Sequence, residues 1–362
     1  MITLSTLIKQ FRSTFVRKHK AQMLPSHFRA LDAMEKCRTS LSPLMQAGCE
    51  GCDHQQFIPH SCGHRHCPHC QHHESQQWLE RQLEKRIKAE YFMVTFTIPR
   101  EFRALAWSHQ RTVYQAMITC AWETLKQFSQ NDKALKGIPG AIAVLHTHAR
   151  NLDDHPHVHV VIPAAAVDKE KGCRHTKSFE GKKRYLFDHK ALAIVFRAKL
   201  LDRLNKQGLI LPKRYPKEWI VDCRSVGTGE PALIYLGRYL YRGVIQEKDI
   251  VSNKDGNVTY RWEDNETGEL RYKTLKGEAF LWKLLRHVLP KRFRRARNFG
   301  FLHPNSKSLF QIIKALLPRN AKAFTHFKKE RPKLTCPCCG GEMTFVRFRI
   351  QPADYRKQIA LV

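Results

Sequence analysis

No stretch of this sequence is long and apolar enough to span a bilayer; the longest apolar run, Val160 to Val167, is broken by a proline. The N-terminus lacks the apolar core of a signal peptide, Met1-Ile2-Thr3-Leu4 giving way at once to a basic, amphipathic stretch. Together these absences argue against a membrane partner and lead us to expect a protein of the cell interior. There is no GxxxxGK[ST] phosphate loop, which excludes a helicase or ATPase within the chain. Internal repeats and low-complexity linkers are missing too. Acidic residues are scarce, with 32 Asp and Glu against 63 Lys and Arg, a formal charge of +31.

That excess calls for a polyanionic partner, because each neutralised phosphate releases counterions and drives association. An apolar fraction of 42% with 10% aromatics excludes a disordered basic tail. Ribosomal and membrane-surface proteins compete with a DNA-binding protein at this charge. With 362 residues the chain can form two or three domains with true cores. Twelve cysteines in a chain of this class suit metal binding better than disulfides.

Residues 1–31 carry Lys9, Arg12, Arg17, Lys18, Lys20 and Arg29 without one acid, and Leu4, Leu7, Ile8, Phe11 and Phe15 recur at helical spacing. This predicts an amphipathic basic helix. Residues 75–90 are dense in helix formers and read as a connecting helix. Strands are expected at Tyr91–Ile98, Gly140–His148 and His157–Ile162. Helices are expected over 101–130, 189–206, from Pro231 onward and over 277–289, with a hairpin within 250–273. Residues 281–329 hold thirteen Lys or Arg and no acid. Aromatics are interleaved there, so Lys291, Arg292, Arg294, Arg295 and Arg297 are read as a folded DNA-contacting surface rather than a merely solvated face.

Residues 37–73 have few large apolar side chains, so a metal must hold them together. Cys49-x2-Cys52 and Cys67-x2-Cys70 are two knuckles, and two knuckles complete the tetrahedron of one structural zinc. Cys37, Cys62 and His66 remain, and they form a second site if one of His60, His64, His69, His72 or His73 joins them. One or two Zn2+ ions are therefore expected. Cys336, Cys338 and Cys339 make only half a site: a small ribbon, a ligand donor to a partner chain, or nothing. Cys120, Cys173 and Cys223 are isolated and read as ordinary residues.

His155-Pro156-His157-Val158-His159 is the most informative segment. Residues two apart on a strand face the same side, so His157 and His159 can grip one divalent ion. His146, on the preceding strand, supplies a third ligand if the two strands pair antiparallel; His148 shares its face and is the alternative. A His-x-His pair alone is more often fortuitous. The context is Tyr235-Leu236-Gly237-Arg238-Tyr239-Leu240-Tyr241-Arg242, where Tyr235 and Tyr239 share a helical face and Arg238 and Arg242 form a second pair suited to phosphates. An aromatic stripe packed in a core is the competing reading. Two phenols beside two guanidiniums instead fit nucleophilic attack on a phosphodiester assisted by the divalent ion.

With these residues in hand, the chain resembles the bacterial two-tyrosine HUH transposases, insertion-sequence family ninety-one. The carriers are His64-Arg65-His66-Cys67-Pro68-His69-Cys70-Gln71, Val94 to Pro99, Val144 to Thr147, His155 to His159, Tyr235 to Tyr239 and His287-Val288-Leu289-Pro290-Lys291. The resemblance implies an α+β fold, an HUH-endonuclease-type central antiparallel sheet flanked by helices and preceded by a small zinc-binding domain. It implies Mg2+ or Mn2+ at the histidines, single-stranded transposon ends and target DNA as partners, host helicase and replication proteins, and a place at the bacterial nucleoid. Tyr235 and Tyr239 would alternate as nucleophiles in rolling-circle transfer through a 5′-phosphotyrosine. The domains expected are 1–90 (basic helix, zinc module, connecting helix), 91–275 (nuclease domain with tyrosine helix and hairpin) and 276–362 (basic helical region with the Cys-Pro-Cys-Cys knuckle). A plasmid replication initiator or relaxase-type nuclease shares the His-x-His strand and the tyrosine. A non-catalytic zinc-dependent DNA-binding protein is the rival of another class.

Overall fold

The computed structural model describes residues 2–168, 170–179, 185–241, 244–264, 267–315 and 333–351. In chain order it forms helices α1 (Leu4–His19) and α2 (Pro25–Lys36), strands β1 (Leu44–Cys49) and β2 (Gln55–Pro59), and helix α3 (His72–Leu83). Strand β3 (Tyr91–Thr97), helices α4 (Arg103–Ser108) and α5 (Gln110–Asn131), and strands β4 (Ile138–His148), β5 (Asp154–Pro163), β6 (Ala165–Asp168) and β7 (Cys173–Thr176) follow. Then come α6 (His189–Lys206), β8 (Val221–Ser225), α7 (Glu230–Tyr241), β9 (Ile250–Lys254), β10 (Asn257–Glu263), β11 (Leu270–Lys276) and α8 (Gly277–Leu285). The last described elements are β12 (Ala296–Gly300), α9 (Lys307–Ala315), β13 (Leu334–Thr335) and β14 (Glu342–Ile350).

The chain divides into two units, and neither is a single consecutive stretch. One takes its described residues from Met1–His73, Ile245–Val288 and His326–Val362, the other from Glu74–Val244 and Leu289–Thr325. These units cut across the consecutive divisions 1–90, 91–275 and 276–362 expected from the sequence. The reason is pairing between distant segments, which no local pattern encodes.

The second unit is built on a seven-stranded sheet in the order β7-β6-β4-β5-β3-β8, with β12 pairing β4. Every strand pair in it is antiparallel. Alternation sorts the side chains between its two faces. Phe92, Val94 and Phe96 with Val158 and Val160 pack beneath α5 and α6, in a core with Met117, Leu125, Phe196 and Leu200. The opposite face sets Ile142, Val144 and Val161 against Leu233, Leu236 and Leu240 of α7 and Trp78 of α3. This is the α+β class with the flanked antiparallel sheet that the sequence led us to expect.

β12 corrects one expectation. Residues 276–362 were read as basic and helical, yet Ala296–Gly300 runs as a strand, with Ala296 opposite Val144 and Gly300 opposite Gly140. Phe299 accounts for it by stacking on Trp122, ring centroids 5.1 Å apart and planes 12° apart, an apolar contact that outweighs the polar character of the segment.

In the first unit, the apolar stripe Leu4, Leu7, Ile8, Phe11 and Phe15 of α1 is buried, each side chain contributing about 1.5–3 kcal/mol. It packs on α8, where Phe15 meets Trp282 (6.1 Å) and His19 stacks on the same indole (4.7 Å). Arg12 bridges to Asp32 and Glu35 of α2, so one of the basic residues of α1 is already neutralised. A three-stranded sheet, β11-β10-β9, and a four-stranded sheet, β13-β14-β1-β2, complete the unit. Among the described residues no helix is long and apolar enough to cross a membrane.

Candidate functional site

The central strands bring three imidazoles together. His146 on β4 lies opposite His157 on β5, and His159 follows two residues later on the same face. Their ring centroids stand 4.7–5.2 Å apart, and one nitrogen from each lies within 4.8 Å of the others. His148 is not part of this group. A register shift between His146 and His148 sets His148 opposite Asp154, and its ring faces Tyr239 at 6.4 Å.

Hydrogen bonds orient the rings. Nδ1 of His157 is 2.6 Å from the carbonyl of His155; since a carbonyl only accepts, Nδ1 carries the proton and Nε2 keeps a lone pair. Nδ1 of His159 is 2.9 Å from the hydroxyl of Thr95 on β3. The Nε2 atoms of His146 and His159 are buried with no hydrogen-bond partner. Burial pushes the pKa of His157 down to about 4 and that of His159 to about 3, and drives that of His146 well below the usual 6.5. Neutral imidazoles with unpartnered, converging nitrogens have the donor chemistry a divalent cation needs.

Helix α7 lies over this face. Its start is set by Gly229, whose φ of +77° is a conformation few L residues adopt, and where a Cβ would stand 2.6 Å from the ring of Tyr91. Arg86 pairs with Glu230 at 3.0 Å in the first turn, where the helix dipole also favours a carboxylate. One turn further on, Tyr235 and Tyr239 face the histidines. Tyr239 lies 5.2 Å from His146, Tyr235 lies 5.9 Å from His159, and the two phenol rings are 4.6 Å apart. Tyr235 is 36% exposed. Burial of its hydroxyl, then the neighbouring Tyr239, pushes its pKa up to about 12, opposed by Arg150 and Arg224.

The predicted DNA-contacting residues fall into distinct settings. Arg238 is exposed and lines a shallow depression with Thr228, Glu230 and Tyr235. Arg242 lies outside the described residues. Lys291, Arg292 and Arg294 are exposed in the loop ahead of β12. Arg295 donates to the carbonyl of Tyr239 at 3.2 Å and Arg297 to Gln115 at 2.6 Å, so both also have structural work. The sequence reading missed Thr95, Arg150 and Arg224. The signal available for Thr95 was its place in the strand that pairs with His-x-His.

Eight of the twelve cysteines form two sets of four. Cys37 at the end of α2 joins Cys62, Cys67 and Cys70, and Cys49 and Cys52 join Cys336 and Cys339. This corrects the expected pairing of the knuckles Cys49/Cys52 and Cys67/Cys70 on one ion. Each knuckle belongs to a different set, because β1 and β2 carry the first onto the sheet with β14 while the second lies against Cys37 at the end of α2. His66 is not among the four donors of either set; its ring lies 5.6 Å from that of His64. His69 pairs instead with the buried Glu247 at 2.9 Å. In the first set, Cys37 and Cys70 are 3.2 Å apart, Cys62 and Cys70 3.5 Å, and Cys67 and Cys37 3.6 Å. Four thiolates around Zn2+ with bonds near 2.3 Å stand about 3.8 Å apart, so the set fits that ion. Cys173, read as isolated, has its sulfur 3.3 Å from Nε2 of His175, with Asp168 across the hairpin.

Residues 7–98 match the family model described as "Transposase zinc-binding domain", and residues 140–308 the one described as "Putative transposase". The "Putative transposase y4qJ" of Sinorhizobium fredii (strain NBRC 101917 / NGR234) is 31% identical over 298 residues, 76% of this chain and 74% of that protein. The "Transposase for insertion sequence element IS801" of Pseudomonas savastanoi pv. phaseolicola is 25% identical over 342 residues, 86% of this chain and 81% of that protein. Among solved structures, a conjugative relaxase TrwC in complex with mutant OriT DNA is 20% identical over 36% of this chain and 48% of that one, with a TM-score of 0.27, a likeness too slight to carry an argument. The matches define a transposase headed by a zinc-binding domain. The chain belongs to the IS91 family of insertion-sequence transposases.

Proposed function

We propose that this transposase nicks and rejoins single-stranded transposon ends through a 5′-phosphotyrosine, with Tyr235 and Tyr239 as nucleophiles. The observation that carries the reading is the placement of both phenols over His146, His157 and His159, two of which have buried, unpartnered Nε2 atoms.

His146, His157 and His159 would hold Mg2+ or Mn2+, which when bound withdraws charge from a phosphate oxygen and aligns the scissile bond for in-line attack. The phenolic oxygen of one tyrosine bonds to phosphorus and gives up its proton. The P–O3′ bond breaks, and the leaving 3′ oxygen takes a proton to become a free hydroxyl. Phosphodiester energy is retained in the tyrosyl ester, so attack by another 3′-hydroxyl reverses the step without a nucleotide cofactor. A second phenol one helical turn away lets a second strand be cut while the first ester persists. Arg238, Arg150 and Arg224 supply cationic contacts for the strand near Tyr235.

Single strands would come from a host helicase at the bacterial nucleoid, in the cytoplasm. Zn2+ at Cys37, Cys62, Cys67 and Cys70 would hold the loop before α3 in shape.

The test is incubation of the purified protein with labelled single-stranded DNA from its own element's ends and Mn2+, followed by a denaturing protein gel. A labelled band at protein mass that disappears with EDTA and in the Tyr235→Phe/Tyr239→Phe double variant is expected. Tight binding to the same DNA with no such band would leave a zinc-dependent DNA-binding protein as the better description.

A further inference from the structure

The geometry points to a second zinc centre, Cys49, Cys52, Cys336 and Cys339, which clasps the end of the chain onto its beginning. It is independent of the nuclease chemistry proposed above, and half of it, Cys336 and Cys339, lies outside the segment that matches the zinc-binding family model, since that match ends at residue 98.

Each partner brings a Cys-x2-Cys knuckle. The sulfurs of Cys49 and Cys339 are 3.4 Å apart and those of Cys52 and Cys336 3.7 Å, close to the ~3.8 Å edge of a tetrahedral zinc thiolate. Both knuckles turn backbone amides toward their first sulfur: Gly51 N–H is 3.3 Å from Cys49 Sγ, and Cys338 N–H is 3.4 Å from Cys336 Sγ. Such bonds offset thiolate charge, as outer partners of metal ligands do. Glycines keep the cradle open. A Cβ on Gly341 would stand 3.3 Å from Cys339 Sγ and 3.6 Å from Cys49 Sγ, and one on Gly51 would stand 3.5 Å from Cys339 Sγ.

The surroundings explain why a metal is needed. The buried apolar cluster here is small, Ala47, Cys336 and Met343 with Cys49, Cys52 and Leu334 against it. β14 leaves Phe345, Val346 and Phe348 exposed. So small a cluster adds little to the backbone ladder between β1 and β14, and a metal would add a second tie. Closing a loop of some 284 residues carries an entropic cost, and a metal clip recovers most where the loop is longest. Cys338 is the bystander: it is exposed, and its sulfur is 3.3 Å from Nδ1 of His54, outside the four-sulfur set.

The experiment uses the full chain, reconstituted with Co2+ in place of zinc, and reads the sulfur-to-cobalt charge-transfer absorption, to which the histidine site is silent. Two equal thiolate centres are expected, with the absorption falling about twofold in Cys336→Ser/Cys339→Ser and unchanged in Cys338→Ser. In parallel, alkylation mapping of the wild-type zinc protein, which needs no variant to fold, should find Cys49, Cys52, Cys336 and Cys339 protected together and Cys338 modified. On chelation the four should become reactive. Alkylation of Cys336 and Cys339 as fast as Cys338 with zinc bound, or undiminished absorption in the double variant, would overturn the proposal.

Discussion

Tyr239 lies against His146 with ring centroids 5.2 Å apart and planes tilted by 29°. The phenol therefore sits over a ring whose Nε2 is buried and unpartnered. A tyrosine packed merely to fill a core would not need three neutral imidazoles beneath it; three predictions concern this site and its helix, and a fourth the buried His27 of α2.

Thr95 holds His159 through Nδ1 at 2.9 Å, leaving Nε2 to point into the site. Thr95→Val keeps the shape of the side chain and removes that bond. Divalent-ion affinity should fall about 10–100-fold, the usual effect of losing an outer partner of a metal-ligating histidine. Cleavage should return at saturating Mn2+. A loss that added Mn2+ cannot rescue would show that Thr95 acts on something other than metal affinity.

Arg238 is exposed beside Tyr235. Arg238→Ala should weaken single-stranded DNA binding and lower the slope of log affinity against log salt by about one. Stability should stay within about 0.5 kcal/mol. An unchanged slope in a salt titration would remove Arg238 from the phosphate contacts.

Gly229→Ala places a Cβ against Tyr91 at a positive φ, costing about 1–3 kcal/mol in backbone strain alone. A lowered melting temperature is expected together with reduced cleavage, since α7 carries both tyrosines. Wild-type melting in this variant would show that the start of α7 is free to rearrange.

His27 is buried on α2, accepts the N–H of Leu24 at 3.2 Å and sits edge-on to Trp282 at 6.2 Å. Burial lowers its pKa from 6.5 to about 4. Between those values the unfolded chain binds a proton that the folded chain refuses, so stability is full above pH 6.5, falls as pH drops toward 4, and levels off below. Denaturation of the wild type and His27→Gln across this window should show a shallower pH slope in the variant. Parallel slopes would mean that His27 is protonated in the folded state.

Local patterns accounted for most of the elements. The stripe Leu4, Leu7, Ile8, Phe11 and Phe15 marked α1, and β-branched and aromatic runs marked β3, β4 and β5, because periodicity is a property of neighbours in the chain. The same locality made His157 and His159 legible as a pair, and Tyr235 and Tyr239 as another. Basic character, by contrast, did not specify a helix, and Ala296–Gly300 became a strand through Phe299 and Trp122.

What the sequence by itself determined was part of the inventory: α1, the helices flanking the sheet and the strands β3, β4 and β5, and which side chains share a face within each. Tertiary structure decided the partnerships. The register shift in β4 brought His146, not His148, to the pair on β5. Pairing of β1 with β14 carried Cys336 and Cys339 to Cys49 and Cys52, and left Cys67 and Cys70 to Cys37 and Cys62. Spacing ranks neighbours along the chain, whereas a tetrahedron of sulfurs needs only neighbours in space, and the pairing of strands almost 300 residues apart is a free-energy balance over the whole fold.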